Sequence, residues 1–175
     1  MASKRLFLIG LMAVGKTTVG RLLAEGLGWQ FIDTDALIEE RAGADISWIF
    51  DVEGEAGFRA REAAVIAEAT LWDQVVLATG GGAVLDPANR GALGGRGTVV
   101  YLDSSVERLL DRTRKDTKRP LLQGANARAT LTRLKQERAP LYAEIADYRF
   151  VTDRQGPKAL ARKIENQLRQ DALIP

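Results

Sequence analysis

Five short apolar runs restrict what this chain can fold into: Leu6–Ile9, Phe31–Ile32, Val75–Ala78, Val99–Leu102 and Phe150–Val151. None alternates strictly between apolar and polar residues, which is the pattern of strands covered on both faces. Between them lie stretches with helical spacing. Val19, Leu22, Leu23 and Leu27 share one face after Lys16, and Phe58, Val65 and Ile66 share another among several alanines. Val106, Leu109 and Leu110 begin a third helix, and Leu131, Leu134 and Arg138 fall on a fourth. Leu160, Ile164 and Leu168 repeat every four residues in a last one, which Pro157 is suited to start. Strands alternating with helices predict an α/β fold, a parallel sheet with helices on both faces. Ligands of such sheets bind at the carboxyl ends of the strands. A length of 175 residues suits one domain over 1–175, and 46% hydrophobic with 27% charged residues is an ordinary globular composition.

Composition removes several chemistries. The chain has no cysteine and no histidine, so disulfides, thiolate catalysis, His-containing triads and Cys or His metal sites are excluded. A general base must be Asp, Glu, Lys, Tyr or an activated water. A metal must be a hard one held by oxygen, which favours Mg²⁺. No apolar run approaches the ~20 residues of a membrane helix. Lys4 and Arg5 before Leu6–Ile9 resemble the start of a signal peptide, but Lys16 soon interrupts the stretch and no small-residue cleavage site follows. The expectation is a cytoplasmic protein that starts directly with its first strand.

Net charge is +2, yet it is unevenly spread. Asp33 to Glu62 holds nine acidic residues against three arginines, and Arg108 to Arg119 holds six basic residues against Asp111 and Asp116. Such an arrangement suits a site for a metal and a polyanion together. Two solvated helix faces would read the same way.

Gly10-Leu11-Met12-Ala13-Val14-Gly15-Lys16-Thr17 fits G-x-x-x-x-G-K-[ST], after an apolar run and before an amphipathic helix. Gly10 and Gly15 let the backbone turn tightly about an anion. The N–H groups of Ala13, Val14, Gly15 and the residues through Thr18 then face phosphate at the positive end of a helix. Lys16 can reach the β- and γ-phosphates, and the Thr17 hydroxyl can ligate Mg²⁺. Nucleotide binding follows; the reaction does not. A GTPase would need N-K-x-D, which is absent, and Asp51-Val52-Glu53-Gly54 reads as a helix-to-loop turn rather than a switch. A nucleic-acid-dependent ATPase would want aromatics within a basic groove, and the basic cluster contains none. A small-molecule kinase needs a phosphate loop, a carboxylate at the acceptor hydroxyl, a cationic cover and an acceptor pocket.

Asp33-Thr34-Asp35 follows Phe31–Ile32, and at the end of an extended strand residues i and i+2 point to one side. One carboxylate can hold Mg²⁺ through water while the other meets the acceptor; a solvated turn is the plainer alternative. Asp103 is a rival metal residue, read here as a turn or helix cap beside Ser104 and Ser105.

In order along the chain stand Gly10–Thr17, Asp33-x-Asp35, Phe58-Arg59-x-x-Glu62, Gly80-Gly81-Gly82, Arg119-Pro120-Leu121-Leu122 and Arg138-x-Pro140-Leu141-Tyr142. In these pieces, over nearly its full length, the chain resembles the shikimate kinases. The resemblance implies ATP-dependent phosphorylation of the shikimate 3-hydroxyl, on the route to chorismate and aromatic amino acids. It implies a three-layer P-loop kinase fold with a five-stranded parallel sheet, a substrate-binding segment at about 33–62 and a lid at about 113–126.

By the same resemblance Asp35, Arg59, Gly81 and Arg138 hold shikimate, with Gly80 and Gly82 beside them. Each assignment has a chemical basis. Arg59 and Arg138 can offer forked donors to the substrate carboxylate. Asp35 can orient the attacking hydroxyl and is the best candidate base. The backbone N–H groups of Gly80–Gly82 can approach a ligand closely. Taken alone, the triple glycine could be a flexible turn and Arg59 a surface partner of Glu55 or Glu62. Phe50 and Phe58 are candidates to wall the pocket, although core packing is the commoner role. Arg119 would close over the β- and γ-phosphates with the lid, stabilising charge and excluding water. Arg112 and the Thr152–Gln155 turn would lie near adenine with Gln155 in contact, although Arg112 fits a solvated helix residue equally well.

Ala13 stands where many family loops have glycine; alanine fits there if φ is below zero, and no loss of activity is expected. Gly91–Gly97 reads as a surface loop leading into a strand. The expected partners are shikimate and ATP, without nucleic acid or membrane, and the expected state is a monomer. The alternatives are a kinase for another small polyol acid such as gluconate, or a non-catalytic nucleotide-binding regulator.

Overall fold

In a computed structural model the described residues are 3–114, 126–152 and 154–175. Five strands are present, one at each apolar run: β1 (Arg5–Ile9), β2 (Gln30–Asp33), β3 (Val75–Ala78), β4 (Thr98–Asp103) and β5 (Tyr148–Val151). They form one parallel sheet in the order β2-β3-β1-β4-β5. Every residue of β3 and β4 is buried, as are Leu6–Ile9 of β1. Consecutive strand residues point to opposite faces, so both faces must be covered. The cover comes from α1 (Lys16–Leu27) packed with α7 (Pro157–Gln170), and from α4 (Pro87–Arg96) packed with α3 (Ile46–Ala69) and α6 (Ala127–Ile145). The α2 (Thr34–Ala42) and α5 (Val106–Thr113) helices complete the set, with a short 3₁₀ turn at Ala83–Leu85. Among the described residues no helix is long and apolar enough to cross a membrane.

Local chemistry explains the helix ends. Asp45 accepts from Trp48 N to start α3, Asp86 accepts from Ala88 N to start α4, and Ser105 accepts from Arg108 N to start α5. Pro87 and Pro157 sit in the first turns of α4 and α7. Most of the core is one apolar cluster around the sheet. A second, smaller cluster of Ile38, Ile49, Phe58 and Val65 lies between α2 and α3. The stretch from Asp33 to Glu62 therefore has packing of its own.

Three expectations are corrected. Gly91–Gly97 is not a surface loop: α4 runs through it to Arg96. The low helix propensity of glycine is overridden by the Asp86 cap, by Leu93 buried at 0% exposure, and by Asn89, which donates to Ala83 O at 2.9 Å. Asp51–Gly54 does not lead from a helix into a loop. Gly54, with φ 74° and ψ 179°, breaks α3 internally, and helix continues on both sides. The third concerns Asp35, which is not on an extended strand. β2 ends at Asp33, and Asp35 is the second residue of α2.

Candidate active site

The loop after β1 wraps a space at the carboxyl edge of the sheet. Gly10 has φ 147°, and a Cβ there would lie 2.4 Å from the Leu102 carbonyl oxygen, so only glycine fits. Gly15 has φ 105° and starts α1 without a side-chain cap, which leaves the helix N-terminus open to an anion. Lys16 is 9% exposed and folds back over the loop, donating to Gly10 O at 2.6 Å and Leu11 O at 2.7 Å.

Ala13 contradicts its expectation, since its φ is +64°. The loop requires a left-handed residue there, and the conformation is held from outside: Arg112 donates to Ala13 O at 3.1 Å and to Val14 O at 2.7 Å. An L-residue in this region carries about 1–2 kcal/mol of strain. Ala13→Gly is therefore expected to stabilise the nucleotide-free protein by about 1 kcal/mol in urea unfolding. An unchanged or lowered midpoint would count against strain at this position. Arg112 is thus no freely solvated helix residue; it braces the phosphate loop.

Asp33 is shared between two tasks. Its Oδ1 caps α2, accepting from Asp35 N at 2.9 Å and Ala36 N at 3.2 Å. Its Oδ2 accepts from the Thr17 hydroxyl at 2.8 Å. This capping turn, rather than strand alternation, brings Asp33 and Asp35 onto one cleft of about 510 Å³. The same cleft is lined by Ala13, Val14, Gly15, Lys16, Thr17 and Thr18, by Gly80 and Gly81, and by Arg112, Thr152 and Gln155. Gln155 also donates to Val151 O at 3.4 Å.

Arg59 and Arg138 are gathered around the glycine segment after β3. A Cβ on Gly80 would fall 2.8 Å from Asp35 Oδ1 and 3.1 Å from Glu62 Oε2. One on Gly81 would fall 3.3 Å from an Arg138 guanidinium nitrogen, and one on Gly82 only 2.4 Å from an Arg59 nitrogen. The three glycines thus make room for four charged groups, so the segment is a closely packed hub and not a loose turn. Arg59 does pair with Glu55 at 3.6 Å and Glu62 at 2.9 Å, but Glu62 is 1% exposed. Burial pushes the Glu62 carboxyl above its usual range; the Arg59 and Arg138 guanidiniums oppose that shift and Asp35 adds to it. The Nε atoms of Arg59 and Arg138 and Glu62 Oε2 are buried with no hydrogen-bond partner among the described residues. Buried polar groups are rarely left so, and donors held in this way suit an anionic guest.

Phe58 packs in the smaller core cluster, with Phe50 against it at 4.9 Å between ring centroids and 37% exposed. Asp103 is held by cations: Arg149 donates to it at 2.6 Å, Lys135 lies at 3.5 Å, and Ser104 N donates at 2.9 Å. It ends β4 as a paired carboxylate rather than forming a turn or a helix cap, and the cap of α5 is Ser105. Arg119 and most of the expected lid, 115–125, lie outside the described residues. Three residues of the site carried no sequence assignment of their own. Glu62 stood only within a matching motif piece and as a possible surface partner of Arg59, Thr34 only between two aspartates, and Tyr142 only at the end of the piece that begins with Arg138.

A family model described as Shikimate kinase matches residues 12–169. The chain belongs to the shikimate kinase family. A shikimate kinase of Vibrio vulnificus (strain YJ016) is 55% identical over 171 residues, covering 97% of this chain and 99% of that one. Among solved structures, shikimate kinase from Acinetobacter baumannii in complex with shikimate superposes with a TM-score of 0.93 at 47% identity, covering 97% of this chain and 94% of the other. Shikimate kinase from Bacteroides thetaiotaomicron gives 0.87 at 34% identity, covering 94% and 98%. The five-stranded parallel α/β fold is that of the shikimate kinases.

Proposed function

We propose that this chain transfers the γ-phosphoryl group of ATP to the 3-hydroxyl of shikimate through the residues gathered at this cleft. The observation that carries the reading is the convergence of Asp35, Arg59 and Arg138 on the Gly80–Gly82 segment, beside the phosphate loop. Shikimate has one carboxylate and three hydroxyls. Arg59 and Arg138 clamp the carboxylate with forked donors, and Asp35 orients the attacking hydroxyl and accepts its proton. Lys16 and the N–H groups from Ala13 to Thr18 hold the phosphates in line, so catalysis rests on positioning and charge stabilisation without a covalent enzyme intermediate.

Thr17 and Asp33 present hard oxygen donors 2.8 Å apart, a set that fits Mg²⁺. When bound, Mg²⁺ neutralises charge on the β- and γ-phosphates. Arg112 and Gln155 serve the adenine side. We assign Arg119 the role of stabilising charge on the phosphates, and 33–62 that of the substrate-binding segment. The chain works as a cytoplasmic monomer.

A coupled assay offering shikimate, quinate and gluconate tests the reading. Turnover is expected with shikimate, and turnover with gluconate alone would refute it. Arg59→Ala is expected to raise the shikimate KM by about 10–100-fold, the worth of charge-assisted hydrogen bonds, with little change in the ATP KM. Arg59→Lys keeps a cation beside Glu62 and loses only the fork, so it separates substrate binding from the cost of stranding a buried carboxyl. An unchanged shikimate KM in both variants would remove Arg59 from the clamp.

A further inference from the structure

The Gly80–Gly82 segment carries no side chains, yet Asp35, Arg59 and Arg138 all take their places against it. What holds it is a set of hydrogen bonds. Gly80 O accepts from Ala83 N and Gly82 O from Leu85 N, each at 3.1 Å, within the local turn. Two further ties come from other elements. The Gly80 N–H donates to Thr34 Oγ1 at 3.1 Å, and Gly81 O accepts from the Tyr142 hydroxyl at 2.5 Å. Thr34 is 0% exposed and Tyr142 1% exposed.

Tyr142 stands one turn after Arg138 on α6, and both are buried there. Its ring lies against Tyr101, with centroids 5.0 Å apart, which fixes the hydroxyl in place. Burial pushes that hydroxyl far above its ordinary pKa, and the positive charge of the Arg138 guanidinium opposes the shift. Tyr142 thus stays protonated, a donor, throughout any assay range. The peptide bonds are trans, so the Gly82 N–H points away from the Gly81 carbonyl. Holding the carbonyl toward α6 aims that N–H away from α6. A Gly–Gly peptide is the one most free to rotate, so a fixed anchor decides which way it faces.

We propose that Tyr142 is a positioning residue of the acceptor subsite: its buried hydroxyl locks the Gly81–Gly82 peptide and Arg138 in one arrangement, while Thr34 holds the other flank of the glycine segment. Neither side chain touches substrate in this proposal; they act through the glycine backbone and Arg138. The proposal rests on the shikimate reading above.

Tyr142→Phe removes one oxygen and keeps the ring against Tyr101. The shikimate KM is expected to rise about tenfold, with kcat and the ATP KM within about twofold of wild type. A merely structural loss would move both substrates alike. In an Arg138→Lys background the same substitution should add no more than about threefold, because both groups meet at Gly81. A full tenfold addition there would separate Tyr142 from Arg138 and overturn the coupling. Thr34→Val should show the same split between substrates, and it decides the matter should Tyr142→Phe fail to fold. An unchanged shikimate KM in either folded variant, or an equal rise in the ATP KM, overturns the proposal. Wild-type protein that leaves shikimate unphosphorylated would instead overturn the functional reading beneath it.

Discussion

Asp35→Asn is expected to lower kcat by about 10³-fold, the upper-middle range for a positioned general base. Nucleotide binding should hold within a factor of a few. Asparagine keeps the size of the side chain and leaves the Asp35 N–H to Asp33 Oδ1 bond in place, so the α2 cap survives. What is lost is the one carboxylate, among the described residues, that meets the glycine segment and also lines the phosphate cleft. Glu62, the neighbouring acid, is buried beneath Arg59 and engaged with it at 2.9 Å, so it is badly placed to substitute. Parallel coupled assays and fluorescent-nucleotide titrations check the outcome. Wild-type turnover in the variant would remove Asp35 from the mechanism.

Lys16→Met is expected to cost on the order of 10²–10³-fold in kcat/KM for ATP, as for loss of one preorganised donor to a developing negative charge. In the structure the ammonium is held by two loop carbonyls, those of Gly10 and Leu11. Phosphate oxygens, which carry charge, attract the ammonium more strongly than these neutral carbonyls do. Methionine matches the length and apolar stem but carries no charge. Shikimate binding without nucleotide, read by calorimetry, should be unaffected because Lys16 lies on the phosphate side. A loss under tenfold in kcat/KM would mean that the loop backbone alone bears the phosphate load.

The strands were legible because each is buried on both faces, and burial on both faces writes itself as an uninterrupted apolar run. Leu6–Ile9 and Val75–Ala78 are cases in point. The α4 helix was hidden because three glycines among its ten residues argue for a loop, while the Asp86 cap, the Asn89 bond back to Ala83 O and the burial of Leu93 decide otherwise. The α2 helix was hidden because it packs only Thr34 and Ile38 inside and has almost no apolar stripe. At the site, the phosphate loop and the aspartate pair were visible as local patterns. The positive φ of Ala13 was not, since it is imposed by the turn and braced by Arg112, whose place in the chain lies far away. Nor could spacing reveal that Glu62 is buried beneath Arg59, or that Tyr142 reaches across to Gly81. Those facts depend on how α3 and α6 converge on the segment after β3.

A crystal structure with ADP and shikimate bound together tests the central claim most directly. The account predicts the shikimate carboxylate between the guanidiniums of Arg59 and Arg138, and its 3-hydroxyl within hydrogen-bond distance of Asp35, facing the phosphate loop. Shikimate seated elsewhere, or turned so that its carboxylate meets neither arginine, would contradict it.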